Sequence, residues 1–126
     1  MIELIIACVP AYNEEWELGP VIIKASKVVD KIIVCDDGSS DLTSEVARKL
    51  GCELIVHSQR KGKGNAIKDL FVKALDLGAD IIVTLDGDGQ HHPEDIPNLI
   101  NPILKDDADM VVGSRFLGNS KEVPFY

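Results

Sequence analysis

The chain has 126 residues, 45% hydrophobic and 27% charged, which suits one folded domain with its own core and excludes an intrinsically disordered chain. Thirteen Lys and Arg against 21 Asp and Glu leave a net charge of −8, which argues against nucleic acid or an anionic lipid surface as a partner. No apolar run approaches the ~18–20 residues of a membrane span, and the N-terminus shows neither a basic n-region nor a small-residue cleavage site.

Five Ile- and Val-rich runs have strand character: Leu4–Val9, Lys31–Cys35, Glu53–His57, Asp80–Leu85 and Met110–Gly113. They are run-like rather than alternating, as in parallel strands covered on both faces. Four helical patterns lie between them. The first carries Val21, Ile22, Ala25, Val28 and Val29 on one stripe, with Pro20 at its first helical position. The second has Asp41 as its N-cap, buries Leu42, Val46 and Leu50, and stops at Gly51. The third places Ile67, Leu70, Phe71, Ala74 and Leu75 on one face and ends at Gly78. The fourth uses Ile96, Leu99, Ile100, Ile103 and Leu104, interrupted by Pro97 and Pro102. This alternation predicts an α/β fold, a parallel-rich doubly wound sheet with helices on both faces. Residues 1–126 read as one domain, with 117–126 as loop. Cys8, Cys35 and Cys52 have no metal-type spacing and read as buried, reduced thiols of a cytoplasmic protein.

Ligands of open α/β sheets bind at the carboxyl ends of the strands, and nearly every unusual polar residue of this chain falls there. Asp86 and Asp88 are two residues apart after the fourth strand. Two such carboxylates disfavour joint ionisation unless a cation joins them, and hard oxygen ligands suit Mg²⁺ or Mn²⁺ with phosphates completing the shell. Gln90 adds a neutral oxygen, whereas His91 and His92 read as ordinary turn residues. Asp36 and Asp37 follow the second strand, where an acidic residue can accept hydrogen bonds from a ribose or a base. Arg60-Lys61-Gly62-Lys63-Gly64 is a basic, Gly-rich loop leading into a helix, a natural seat for phosphate. Arg115, after the fifth strand, is a second phosphate candidate. The first loop lacks G-x-G-x-x-G, which argues against a dinucleotide-binding domain; it offers Tyr12 for stacking and Glu14 as an acceptor.

Five segments in register carry a resemblance: Val9-Pro10-Ala11-Tyr12-Asn13-Glu14-Glu15, Asp36-Asp37-Gly38-Ser39-Ser40-Asp41, Gly62-Lys63-Gly64-Asn65-Ala66, Asp86-Gly87-Asp88-Gly89-Gln90-His91-His92-Pro93 and Gly113-Ser114-Arg115-Phe116. The chain resembles family 2 glycosyltransferases of the GT-A fold, in the branch of dolichol-phosphate mannose synthases and polyprenyl-phosphate sugar transferases. The resemblance implies that Pro10, Tyr12 and Glu14 line a nucleotide pocket and that Asp37 holds the base or ribose, with the Cys35 backbone close by. It makes Asp86-Gly87-Asp88 the DxD motif. Asp86, Asp88 and Gln90 would hold Mg²⁺ or Mn²⁺ against the sugar-nucleotide diphosphate. Lys63 or Arg60, and Arg115, would contact phosphates, with Asp88 and Arg115 closest to the chemistry. The implied reaction is inverting sugar transfer from a GDP- or UDP-linked donor to an acceptor, for which a polyprenyl phosphate is the candidate.

Members of the family continue into an acceptor-binding half. The chain therefore reads as the donor-binding part, expected at the cytoplasmic face of the membrane through a partner or a further segment, or as a homo-oligomer. The alternative is a nucleotide-sugar-binding module without turnover of its own. A phospho-aspartate receiver or phosphatase domain also uses acidic strand ends, but no motif here supports one.

Overall fold

The computed structural model describes residues 3–87 and the short strand at 111–112. In chain order the elements are β1 (Ile5–Ala11), α1 (Leu18–Ala25), β2 (Lys31–Asp36), α2 (Thr43–Lys49), β3 (Glu53–Val56), α3 (Lys63–Asp76), β4 (Ile81–Thr84) and β5 (Val111–Val112). The five strands form one sheet in the order β3-β2-β1-β4-β5, and every pairing is parallel. The chain winds outward from β1 through β2 to β3, then crosses back to place β4 on the other side of β1. That reversal is the switch point at which such sheets bind ligands.

Both sheet faces are covered, as the run-like strands require. On one face Ala7, Val9, Val34, Ile81 and Val83 pack with Leu18, Val21, Ile22 and Ala25 of α1 and Ala47 of α2. On the other, Ile6, Cys8, Ile33, Cys35 and Ile82 pack with Ala66, Leu70 and Ala74 of α3. Adjacent residues of β1, β2 and β4 thus serve opposite cores, so both faces of these three strands are covered.

The helices differ from the sequence expectation in detail. α1 begins two residues before Pro20, because the carbonyl of Glu14 accepts the N–H groups of Glu17 and Leu18 (3.2 and 2.9 Å) and starts the turn early. Pro20 is the third helical residue, where its missing N–H still costs no intrahelical bond. The helix ends at Ala25, so Val28 and Val29 reach the core from the turn beyond it. In α2 the buried residues are Thr43 and Ala47, while Leu42 is 58% and Leu50 42% exposed. The N-cap of α2 is Leu42 rather than Asp41; the Asp41 carboxylate, one residue earlier, accepts the Thr43 N–H at 2.9 Å. α3 begins at Lys63, so the end of the basic loop is its first turn, and its buried stripe is Ala66-Leu70-Ala74, with Leu75 65% exposed. Gly51 and Gly78 end α2 and α3 at φ +82° and +87°, as expected of helix-stopping glycines. The fourth helical pattern lies outside the described residues.

Candidate donor site at the switch point

A cleft of about 220 Å³ opens at the carboxyl ends of β1, β2 and β4. β1 supplies Pro10 and Ala11 from its last turn of strand and Tyr12 and Glu14 from the loop beyond; Asp37 comes from the end of β2, and Asp86 and Gly87 from the end of β4. Arg60, Lys63 and Ala66 close the cleft from the β3–α3 side. Pro10, Tyr12, Glu14, Asp37, Lys63, Asp86 and Gly87 are thus brought together as the sequence reading expects. Asp88, Gln90, Arg115 and the His91-His92 pair lie outside the described residues. Cys35 does not line the cleft: its side chain is in the α3-side core, with Sγ 3.7 Å from the His57 ring.

The β1–α1 and β2–α2 loops hold each other. The Asn13 N–H donates to Ser39 Oγ (2.8 Å), and the Ser40 N–H donates to the Asn13 side-chain oxygen (2.9 Å). Asn13 adopts φ +52° to do so, a left-handed conformation Asn tolerates. The Glu14 N–H donates to Thr43 Oγ1 at 2.9 Å. Asp36 points into this scaffold rather than the cleft, accepting the Ser39 N–H (2.9 Å) and the Ser44 hydroxyl. Gly38, at φ +79°, lets the β2 loop touch the β3–α3 loop; a Cβ there would sit 2.5 Å from the Arg60 nitrogen. Gly87 has the same function at the cleft floor, where a Cβ would lie 3.3 Å from Ala11 and Leu18.

Asp37 faces the cleft, yet its carboxylate is heavily engaged. One oxygen accepts the Lys61 N–H at 2.7 Å and faces His57 Nδ1 at 2.8 Å; the other accepts the Gly62 N–H at 2.9 Å. Burial pushes this carboxyl up, but the His57 hydrogen bond and the two backbone donors outweigh it and hold the group below the ordinary carboxylate range. On the other side of the ring, His57 Nε2 lies 2.7 Å from Asp69 Oδ2. The hydrogen bond to Asp37 raises the His57 pKa, burial opposes it, and the bond to Asp69 adds to the rise. Sequence reasoning missed both His57 and Asp69. The available signal was a histidine at a strand's carboxyl end, the edge where every other candidate lies.

The cleft carries charge of both signs. Lys63 Nζ pairs with Asp86 Oδ1 at 2.7 Å, and the Arg60 guanidinium lies 4.0 Å over the Tyr12 ring. Among the described residues no group of three His, Cys, Asp or Glu side chains converges on a metal position. Asp86 alone of the expected ligands is described, and a hard carboxylate already facing a cation fits a divalent ion. A larger depression of about 340 Å³ lies at the opposite edge of the sheet, around Ser26, Asp30, Leu50 and Cys52. Its polar groups serve the fold: Asp30 accepts the Ile5 N–H at 2.8 Å and the Ser26 hydroxyl donates to the Ile23 carbonyl at 2.7 Å.

Comparison with known proteins agrees with this architecture. The UDP-N-acetylglucosamine–dolichyl-phosphate N-acetylglucosaminyltransferase of Methanococcus voltae is 41% identical over 95% of this chain and 55% of its own length. The dolichol-phosphate mannosyltransferase of Pyrococcus furiosus is 32% identical over 94% of this chain and 35% of its own. The chain therefore spans about a third to a half of the length of these relatives. Among solved structures, glucosyl-3-phosphoglycerate synthase from Mycobacterium tuberculosis, in complex with Mn²⁺ and UDP-glucose, superposes with a TM-score of 0.67 at 32% identity, covering 81% of this chain and 39% of that one. The fold is that of the GT-A glycosyltransferases. The family model for glycosyl transferase family 2 matches residues 6–126, and the chain belongs to that family.

Proposed function

We propose that this chain is the donor-binding part of a metal-dependent, inverting glycosyltransferase that moves a sugar from a nucleoside-diphosphate sugar to an acceptor. The observation that carries this reading is the convergence at one switch point of a hard carboxylate (Asp86), two cations (Lys63 and Arg60) and the start of α3. A sugar diphosphate needs such a set: cations and helix N–H groups for its phosphates, and a carboxylate for the divalent ion that accompanies them. Asp86, with Asp88 and Gln90, would hold Mg²⁺ or Mn²⁺. The ion, when bound, supplies stabilisation of the charge that grows on the departing nucleoside diphosphate. Lys63 and Arg60 steady the same charge, with Arg115 as a further phosphate contact, while Pro10, Tyr12, Glu14 and Asp37 frame the nucleoside.

A polyprenyl phosphate is the acceptor we favour, since the Methanococcus and Pyrococcus relatives are named for dolichyl and dolichol phosphates. Its oxygen is already anionic, so it requires positioning more than a general base. All three cysteines are free, in keeping with a cytoplasmic reaction. No helix among the described residues is long and apolar enough to cross a membrane.

The test is calorimetric titration with UDP and GDP, each with and without Mn²⁺. UDP is the first choice, being the nucleotide bound in the mycobacterial neighbour. Mn²⁺-dependent binding is expected, weakened about 10–100-fold in Asp86→Ala, the range for losing one charged contact. Metal-independent binding, or none of either nucleotide, overturns the reading. Release of the nucleoside diphosphate from a donor sugar by the purified chain would separate a transferase from a module that only binds.

A further inference from the structure

His57 is almost wholly buried, and each of its ring nitrogens faces a carboxylate oxygen: Nδ1 to Asp37 at 2.8 Å, Nε2 to Asp69 at 2.7 Å. An ionised carboxylate only accepts hydrogen bonds, so both nitrogens must carry hydrogen to satisfy this arrangement. The geometry favours an imidazolium, in line with the raised His57 pKa. The other groups facing it are the Cys35 thiol at 3.7 Å and the Lys61 ammonium, which opposes the charge. Burial keeps that thiol protonated, its pKa pushed up to about 12, so it adds no third anion.

The three side chains form a linear relay, Asp69–His57–Asp37, that starts on α3 and ends at the turn before it. Asp69 lies on α3, His57 follows β3, and Asp37 follows β2 and grips the Lys61 and Gly62 N–H groups at the start of α3. Gly62 is the N-cap of α3, at φ +99°, and no side chain of the helix's own cap holds that turn. The next residue is Lys63, which reaches Asp86 across the cleft. The front of α3 is thus held by Asp37 on the Lys61 and Gly62 N–H groups and by the Asn65 amide, which donates to the Lys61 carbonyl at 2.8 Å, and what fixes Asp37 on its buried side is His57.

We propose that His57, clamped as an imidazolium between Asp37 and Asp69, is a positioning residue for the donor's diphosphate, acting through Asp37 on the Lys61–Gly62 backbone and so on Arg60 and Lys63. The proposal rests on the donor-site reading above. Loss of the His57 proton leaves at best a neutral hydrogen bond to Asp37 in place of a charge-assisted one, which weakens the hold on Asp37 and on the turn. Nucleotide affinity consequently falls as pH rises through the His57 titration. Asp69 sets where that occurs: without its charge, His57 gives up its proton at lower pH.

The experiment uses the full chain, labelled with ¹⁵N, in wild-type and Asp69→Asn forms. Asp69 is 44% exposed, so the substitution leaves the core intact. NMR follows the His57 ring and the Lys61 and Gly62 amides across pH, and calorimetry follows UDP affinity with Mn²⁺ over the same range. Expected in the wild type is a ring doubly protonated at pH 7, with both amides shifting at its titration midpoint, above the ordinary ~6.5. Expected in Asp69→Asn is a lower midpoint and, at pH 7.5, UDP binding weaker by about tenfold that recovers on acidification. A ring neutral at pH 7, amides indifferent to its titration, or a UDP pH profile unmoved by Asp69→Asn would overturn the proposal. If wild type binds neither UDP nor GDP, the donor-site reading fails, and the ring and amide titrations alone decide whether His57 positions the turn.

Discussion

Asp37 and His57 share a buried hydrogen bond, and each resists losing the charge that makes it. Asp37 is held below the ordinary carboxylate range, so its contribution to stability is complete above its unfolded pKa and is lost as pH falls through the depressed value. His57 is held above the ordinary imidazole value, so its contribution is complete below ~6.5 and is lost as pH rises through the raised one. Urea unfolding at a series of pH values should show a stability plateau between those limits. His57→Asn should abolish the alkaline fall attributable to the ring. His57 carried only the signal of its place at a strand's carboxyl end and Asp69 carried none, because their meeting depends on how two crossovers bring β2, β3 and α3 together. Asp37, Lys63 and Asp86 were legible, since each sits directly after a strand or in the loop that follows one.

At the scale of elements, the site depends on loops pressed closer than side chains allow. Gly38→Ala combines a left-handed backbone with a Cβ 2.5 Å from the Arg60 nitrogen. The φ term alone costs about 1–3 kcal/mol, and the clash adds to it while displacing the β3–α3 loop. Gly51→Ala is the matched control, with φ +82° and nothing within 4 Å of the added carbon. It should cost only the backbone term and leave nucleotide binding intact; chemical denaturation beside UDP titration distinguishes the two. Within α3, Leu70→Ala removes a fully buried side chain and should cost ~2–5 kcal/mol, whereas Leu75→Ala should stay within about 0.5 kcal/mol. Periodicity located α3 but could not separate those two leucines. Alanines at 66 and 74 let the helix lie close to the sheet, so the contact stripe is narrower than the apolar stripe. The same holds for α2, where Thr43 and Ala47 face inward and the flanking leucines do not.

For the whole molecule, β1 is the hub: it pairs with β2 on one side and β4 on the other, with a helix layer over each face. Native-state hydrogen exchange should be slowest there and faster in β3, which pairs on one side only among the described residues. The two sides of β1 differ in another respect. Joining β1 to β2 brings together residues 25 apart, as where Ile5 meets Asp30, while joining β1 to β4 spans 76, as where Leu4 meets Asp80. By loop-closure entropy the second junction costs about 1 kcal/mol more than the first. The first three strands can therefore assemble as a local unit, and β4 must be captured across a long excursion of chain. Since Asp86 and Gly87 of the cleft follow β4, loop closure predicts that the cleft is completed after the β1–β2 side has formed. A partly folded chain would already display the β1–α1 and β2–α2 scaffold yet have no floor beneath the donor, so the ability to hold a nucleotide would report completed folding.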